Sequence, residues 1–139
     1  MKLKWCYYLF ILLLYLGCTS VAPLPYQFQK KWMLVEFQGY KKQDLMAHQA
    51  YLNMSPTMTN PHQYFISIDG KKHYFRIEFL NGKKVSIIPL GIPKSANSKL
   101  EQQWVELLPT LNRYKIKGHF LTLYHPNGKT IKLVAEDWD

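Results

Sequence analysis

Five histidines and two cysteines are the side chains of this 139-residue chain best suited to hold a metal or attack an electrophile. His48, His62, His73, His119 and His125 show none of the HxH, HxxxH or HExxH spacings that put two imidazoles on one face of an element. Cys6 lies inside an apolar run and Cys18 at its end, so neither joins the histidines in the mature domain. No G-x-S-x-G turn singles out a serine as nucleophile. Gly70, Gly82, Gly118 and Gly128 each fit a turn rather than a phosphate-cradling loop. The sequence therefore assigns no catalytic residue, no cofactor and no metal ligand, and a non-enzymatic protein is expected.

The one cysteine with an evident chemistry is Cys18. Lys2 and Lys4 form a positive start, and Trp5 to Leu16 is an apolar run of signal-peptide length, short of the roughly twenty residues a membrane-spanning helix needs. Ser20-Val21-Ala22 has the small-x-small form of an ordinary signal-peptidase site, but Pro23 follows it, and its ring and missing N–H suit a scissile position poorly. Leu14-Tyr15-Leu16-Gly17-Cys18 resembles the lipobox of bacterial lipoproteins, with Tyr15 and Leu16 departing from the preferred residues and Gly17 and Cys18 matching them. The expectation is a lipoprotein signal over residues 1–17, lipidation with palmitate-type acyl chains at Cys18, a lipid-anchored tether over 18–29 and a domain over 30–139. Thr19 stands where an aspartate would favour inner-membrane retention, so the expected location is the periplasmic face of the outer membrane.

The formal net charge is +9, of which Lys2 and Lys4 would leave with the signal. An exported basic chain meets anionic headgroups and acidic envelope polymers rather than nucleic acid. The expected partners are the membrane through the lipid anchor, and an envelope protein or anionic envelope component, with the chain a monomer. Lys30-Lys31, Lys41-Lys42, Lys71-Lys72 and Lys83-Lys84 are scattered pairs, the pattern of protected strand ends and turns.

Short β-like runs dominate the domain. Lys31 to Gln38 reads as a central strand with Trp32 and Leu34 on one face and Met33, Val35 and Phe37 on the other. Lys41 to Gln49 suits one or two helical turns, Tyr51 to Met54 a second strand, and Pro56 to Pro61 a loop. Tyr64 to Ile68 and His73 to Leu80 are strands about Gly70, and Asn81-Gly82 predicts a type I′ hairpin into Lys83 to Leu90. Ser98-Lys99-Leu100-Glu101 is a capping box that opens a helix. Leu100, Trp104, Leu107, Leu108 and Leu111 give that helix an apolar stripe, and Pro109 ends or kinks it. Arg113 to Lys117, Phe120 to His125 and Thr130 to Ala135 close the chain as strands. The predicted class is α+β: a mostly antiparallel β-sheet meander with one principal α-helix packed on it, inserted before the last three strands. Trp32, Phe75, Ile77, Leu100, Trp104 and Leu121 should be buried together.

Aromatic residues make up 15% of the chain, and Tyr64, Phe65, Tyr74, Phe75 and Phe79 fall on adjacent strands. They either fill the core or present a ligand or partner face.

Several segments together resemble the META-domain family, the HslJ-like bacterial lipoproteins linked to heat shock and the stress response. Lys31-Trp32-Met33-Leu34-Val35 is similar to that family's opening strand and Ala50-Tyr51-Leu52-Asn53-Met54 to its second. Leu100 to Trp104 and Leu107 to Leu111 resemble its helix, Tyr114 to Leu123 its penultimate hairpin, and Ala135-Glu136-Asp137-Trp138-Asp139 the ending of some members. Gly70-Lys71-Lys72 and Pro93-Lys94-Ser95-Ala96-Asn97 stand where many members carry a cysteine each. The resemblance implies the same fold without a disulfide staple, a cell-envelope role in stress tolerance, and no site residue beyond the lipidation position. The alternative kept beside it is a β-rich carrier of lipid or another small ligand, with the aromatic strands lining its cavity.

Overall fold

A computed structural model describes residues 25–55, 63–91 and 95–138. The signal, Cys18 and the Pro56–Pro61 loop lie outside them. Eight strands follow in order: β1 Lys31–Glu36, β2 Tyr51–Asn53, β3 Tyr64–Ile68, β4 Lys71–Leu80, β5 Lys84–Pro89, β6 Arg113–Lys117, β7 Phe120–Tyr124 and β8 Thr130–Ala135. Each pairs antiparallel with its sequence neighbour, and β1 also pairs with β8 through Trp32↔Ala135, Met33↔Val134, Leu34↔Leu133 and Glu36↔Lys132. The sheet is thus a closed barrel.

That closure corrects the α+β expectation of a meandering sheet with a principal helix packed on it. Helix α1 spans Lys42–Ala47, and α2 spans only Lys99–Leu107, running on into a 3-10 turn at Leu108–Thr110. The helix does precede the last three strands, but it lies over a barrel mouth rather than on a sheet face. Both architectures demand the same inward and outward alternation along each strand, and closure comes from strand tilt and stagger around the ring.

The mouth that carries α1, α2 and the β3–β4 and β7–β8 turns is crossed by α2. Trp104 meets Phe37, just past β1, edge to face with centroids 5.4 Å apart, while Glu101 reaches the start of β4. Tyr40 Oη donates to Gln103 Oε1 at 3.1 Å on the same side as Phe37. The opposite mouth holds a 3-10 turn at Tyr26–Phe28, whose Phe28 ring packs edgewise on Phe79 and Tyr114. Trp32 Nε1 donates to the Phe28 carbonyl at 3.1 Å, fixing that turn to β1.

Between the mouths the interior is packed. Trp32, Phe75, Ile77, Leu100, Trp104 and Leu121 share one cluster, as the sequence predicts, with Leu34, Leu52, Ile66, Leu123, Ile131 and Leu133. Leu107 is half-buried, so the buried helical stripe is narrower than expected.

Two local readings are also corrected. Phe37 faces the core with Trp32 and Leu34, not the other side, because β1 shifts register between Leu34 and Glu36. The extra residue inverts the alternation, so Glu36 points out beside Lys132 and Phe37 turns in. Met33 and Val35 are only half-buried, although β1 has a strand on each side. The positive φ values in the β4–β5 turn fall on Gly82 and Lys83, and Leu80↔Lys84 leaves a three-residue loop. A two-residue turn with both central φ positive occurs instead at Asp69-Gly70, between Ile68 and its partner Lys71.

Candidate functional surface

The capping box at the start of α2 forms, and does more than cap. Ser98 Oγ accepts from the Glu101 N–H at 3.1 Å. The Glu101 carboxylate reaches one residue beyond the expected position, accepting from the Asn97 N–H at 2.7 Å. Its other oxygen takes His73 Nε2 at 2.7 Å and Lys71 Nζ at 3.2 Å, both from the start of β4. Lys71 Nζ also donates to the Ser95 carbonyl.

Glu101 is fully buried, and burial, the largest single influence, pushes its carboxyl up. The Asn97 N–H, His73 and Lys71 outweigh that and hold it below the ordinary carboxylate value. With three donors on its two oxygens, the carboxylate clamps α2 to β4. His48 Nδ1 meets the Asp69 carboxylate at 2.9 and 3.1 Å near the same mouth, where both side chains are solvated. Among the described residues, no three His, Cys, Asp or Glu side chains converge as a metal site.

The aromatic residues divide between inside and outside. Tyr64 and Phe75 face the core, where burial pushes the Tyr64 phenol up, and Phe79 packs against that core. Phe65 and Tyr74 alternate outward. With Tyr51 they form a strip across β2–β4, with centroids 6.1 Å apart for Tyr51–Phe65 and 5.7 Å for Phe65–Tyr74. Lys31 Nζ stands 4.2 Å over the Tyr51 ring and Lys72 Nζ 4.7 Å over Phe65. Tyr74 is 41% exposed. These rings and cations already hold one another, so less side-chain freedom remains to be lost when something binds across them.

On the far side of the ring, the outer face of β6–β8 carries a groove of about 690 Å³. Lys115, Lys117, Phe120, Thr122, Tyr124 and Lys132 line it, together with the Gly118-His119 turn. Lys115, Thr122 and Lys132 stand in one cross-strand row, and Lys132 pairs with Glu36 at 3.4 Å. Among the described residues, no acidic side chain lines the groove.

Sequence reasoning placed Ser98 and Glu101 as a cap and missed the partners from β4, because their contact is made only when α2 crosses the mouth. It also missed the groove. The alternation Lys115, Lys117 on β6 was a signal for it, and the facing strands supply the rest. Cys18, the one assigned site residue, lies outside the described residues.

Fold and surface together define a closed eight-stranded antiparallel β-barrel with a packed interior and two chemically distinct outer faces. No family model matches the sequence, and no curated protein does. Among solved structures, the crystal structure of a DUF4847 family protein from Bacteroides vulgatus ATCC 8482 is similar, with a TM-score of 0.58 at 14% identity, over 79% of this chain and 94% of that one. That likeness concerns the barrel fold.

Proposed function

We propose that this chain is a non-enzymatic binding barrel of the bacterial cell envelope, anchored through lipid on Cys18, that engages an envelope component with its outer surface. The observation that carries the reading is the division of the aromatic residues: Tyr64 and Phe75 are spent on the core, while Tyr51, Phe65 and Tyr74 form a lysine-flanked strip outside. Outward-facing aromatic rings of this kind, here with Tyr74 exposed and Tyr51 and Phe65 half-buried, are enriched at interaction sites. The signal-like N-terminus and the META-like segments support an envelope setting and a stress-tolerance role.

A carrier needs a cavity among the aromatic strands. Tyr64 is 2% exposed and Tyr74 faces away from the interior, which favours surface binding over internal carriage.

The test is retention of envelope material by the immobilised intact protein and by its Phe65→Ala/Tyr74→Ala variant. The wild type should retain a component that the variant releases. Equal retention by both would refute the strip as the binding surface, and co-purifying lipid resistant to delipidation would favour the carrier.

A further inference from the structure

We propose that the β6–β8 groove is a second membrane contact, docking on the phosphate headgroups of anionic lipids while lipid on Cys18 holds the chain to the same leaflet. This rests on the anchoring reading above, and three placements carry it.

The first is where the chain enters. Pro25 and the Tyr26–Phe28 turn stand at the mouth opposite α2, and the β6–β7 turn belongs to that mouth, since Ala135 N–H donates to the His119 carbonyl at 2.9 Å beside Trp32. Cys18 is seven positions before Pro25, at most about 25 Å of extended backbone. An acyl chain there would hold the groove's mouth within that distance of the bilayer.

The second is charge. Among the described residues, the acidic groups near this mouth are engaged, Glu136 with Lys31 at 3.0 Å, Asp137 with Lys30 at 4.0 Å and Glu78 with Arg76 at 3.4 Å. Lys115 and Lys117 have no carboxylate partner among the described residues, and Lys132 shares only the exposed Glu36. Half-exposed Phe120 and partly exposed Tyr124 lie among these cations, as aromatic rings do at a membrane interface. Each lysine close to an anionic leaflet strengthens attraction roughly fivefold, so Lys115 and Lys117 together supply about twenty-five- to thirtyfold.

The third is opposition around the ring. The groove centres on β7 and the aromatic strip on β3, halfway round the barrel. Acyl chains alone hold the protein to the leaflet, so the groove decides which way it faces. With β6–β8 on the headgroups, Tyr51, Phe65 and Tyr74 are turned outward to a partner.

The experiment uses the mature protein purified from membranes and reconstituted in vesicles of phosphatidylcholine, with or without phosphatidylglycerol. Lysine acylation rates and amide exchange are followed by mass spectrometry. In anionic vesicles Lys115 and Lys117 should react about tenfold more slowly than in neutral ones, with salt near 1 M removing the difference. Lys41 and Lys42, at the α2 mouth, should react alike in both. Amides of Phe120 to Tyr124 should gain protection in anionic vesicles, lose it in Lys115→Gln/Lys117→Gln, and keep it in the double Arg variant.

Equal rates in the two vesicles would overturn the proposal. So would equal protection by inorganic phosphate in detergent, which would make the groove a small-anion site. If mass analysis finds Cys18 unmodified, the anchoring reading fails by itself. Flotation of that same chain with anionic but not neutral vesicles would still uphold the groove, and no flotation would end it.

Discussion

The barrel is joined on either side of its β6–β8 segment, and the two joints are built differently. Between β8 and β1, four residue pairs run through the bulged strand, and Leu34, Leu133 and Ala135 are buried behind them. Between β5 and β6 there is one pair, Lys84↔Arg113, flanked by Val85 N–H to Asn112 O at 2.9 Å and Tyr114 N–H to Lys83 O at 3.1 Å. What strand pairing lacks at the second joint is supplied by the inserted segment: Leu108 and Leu111 are buried beside β5, and α2 is fastened across the mouth by Trp104 and Glu101. A barrel can therefore tolerate a weak ladder where side-chain packing bridges it.

Trp104→Ala should have the largest effect on this contrast, about 3–5 kcal/mol by chemical denaturation. Amide exchange at Val85 and Tyr114 should then accelerate well before exchange at Met33 or Leu133. If all four accelerate together, the joints are not separable.

Glu101→Ala should follow at about 3 kcal/mol, because it removes the only carboxylate facing His73 and Lys71 and leaves Lys71 with the Ser95 carbonyl alone. Acid should act through the same carboxyl. Its folded value is depressed, so the stability it contributes is complete above the ordinary Glu range near about 4.3 and is lost as pH falls through the lower folded value. The β5–β6 amides should open earlier than the β1–β8 amides in an acid titration. Glu101→Gln should remove that part of the pH dependence while keeping the side-chain volume.

Ser98→Ala should cost about 1 kcal/mol as a lost cap. Smallest of all should be Trp104→Phe. Among the described residues the buried indole N–H has no hydrogen-bond partner, so the substitution breaks no hydrogen bond they make and leaves a ring facing Phe37. A loss as large as that of Trp104→Ala would mean that indole volume, rather than any ring, closes the mouth.

All eight strand segments were legible in the sequence, since period-two alternation and turn residues mark them locally. Closure was not, because Trp32↔Ala135 leaves no trace in either segment alone. Phe37 was misplaced for a related reason: a one-residue bulge is created by the partner strand. The pair of positive φ values expected at Asn81-Gly82 falls one residue on, at Gly82-Lys83, and the two-residue turn with such a pair is at Asp69-Gly70, although both dipeptides are good turn formers. Of the candidate surfaces, the aromatic cluster was visible while its division was not, and the partners of Glu101 were hidden because capping already accounted for that residue.

The β1–β8 joint has a consequence for biogenesis. Lys31 and Glu136 meet across 105 positions of sequence, so the strand synthesised first waits for the one synthesised last. Until β8 has emerged, β1 presents one unpaired edge to whatever surrounds the nascent chain. Closure is thus a late, non-local event, the kind that slows folding and invites strand exchange between neighbouring molecules.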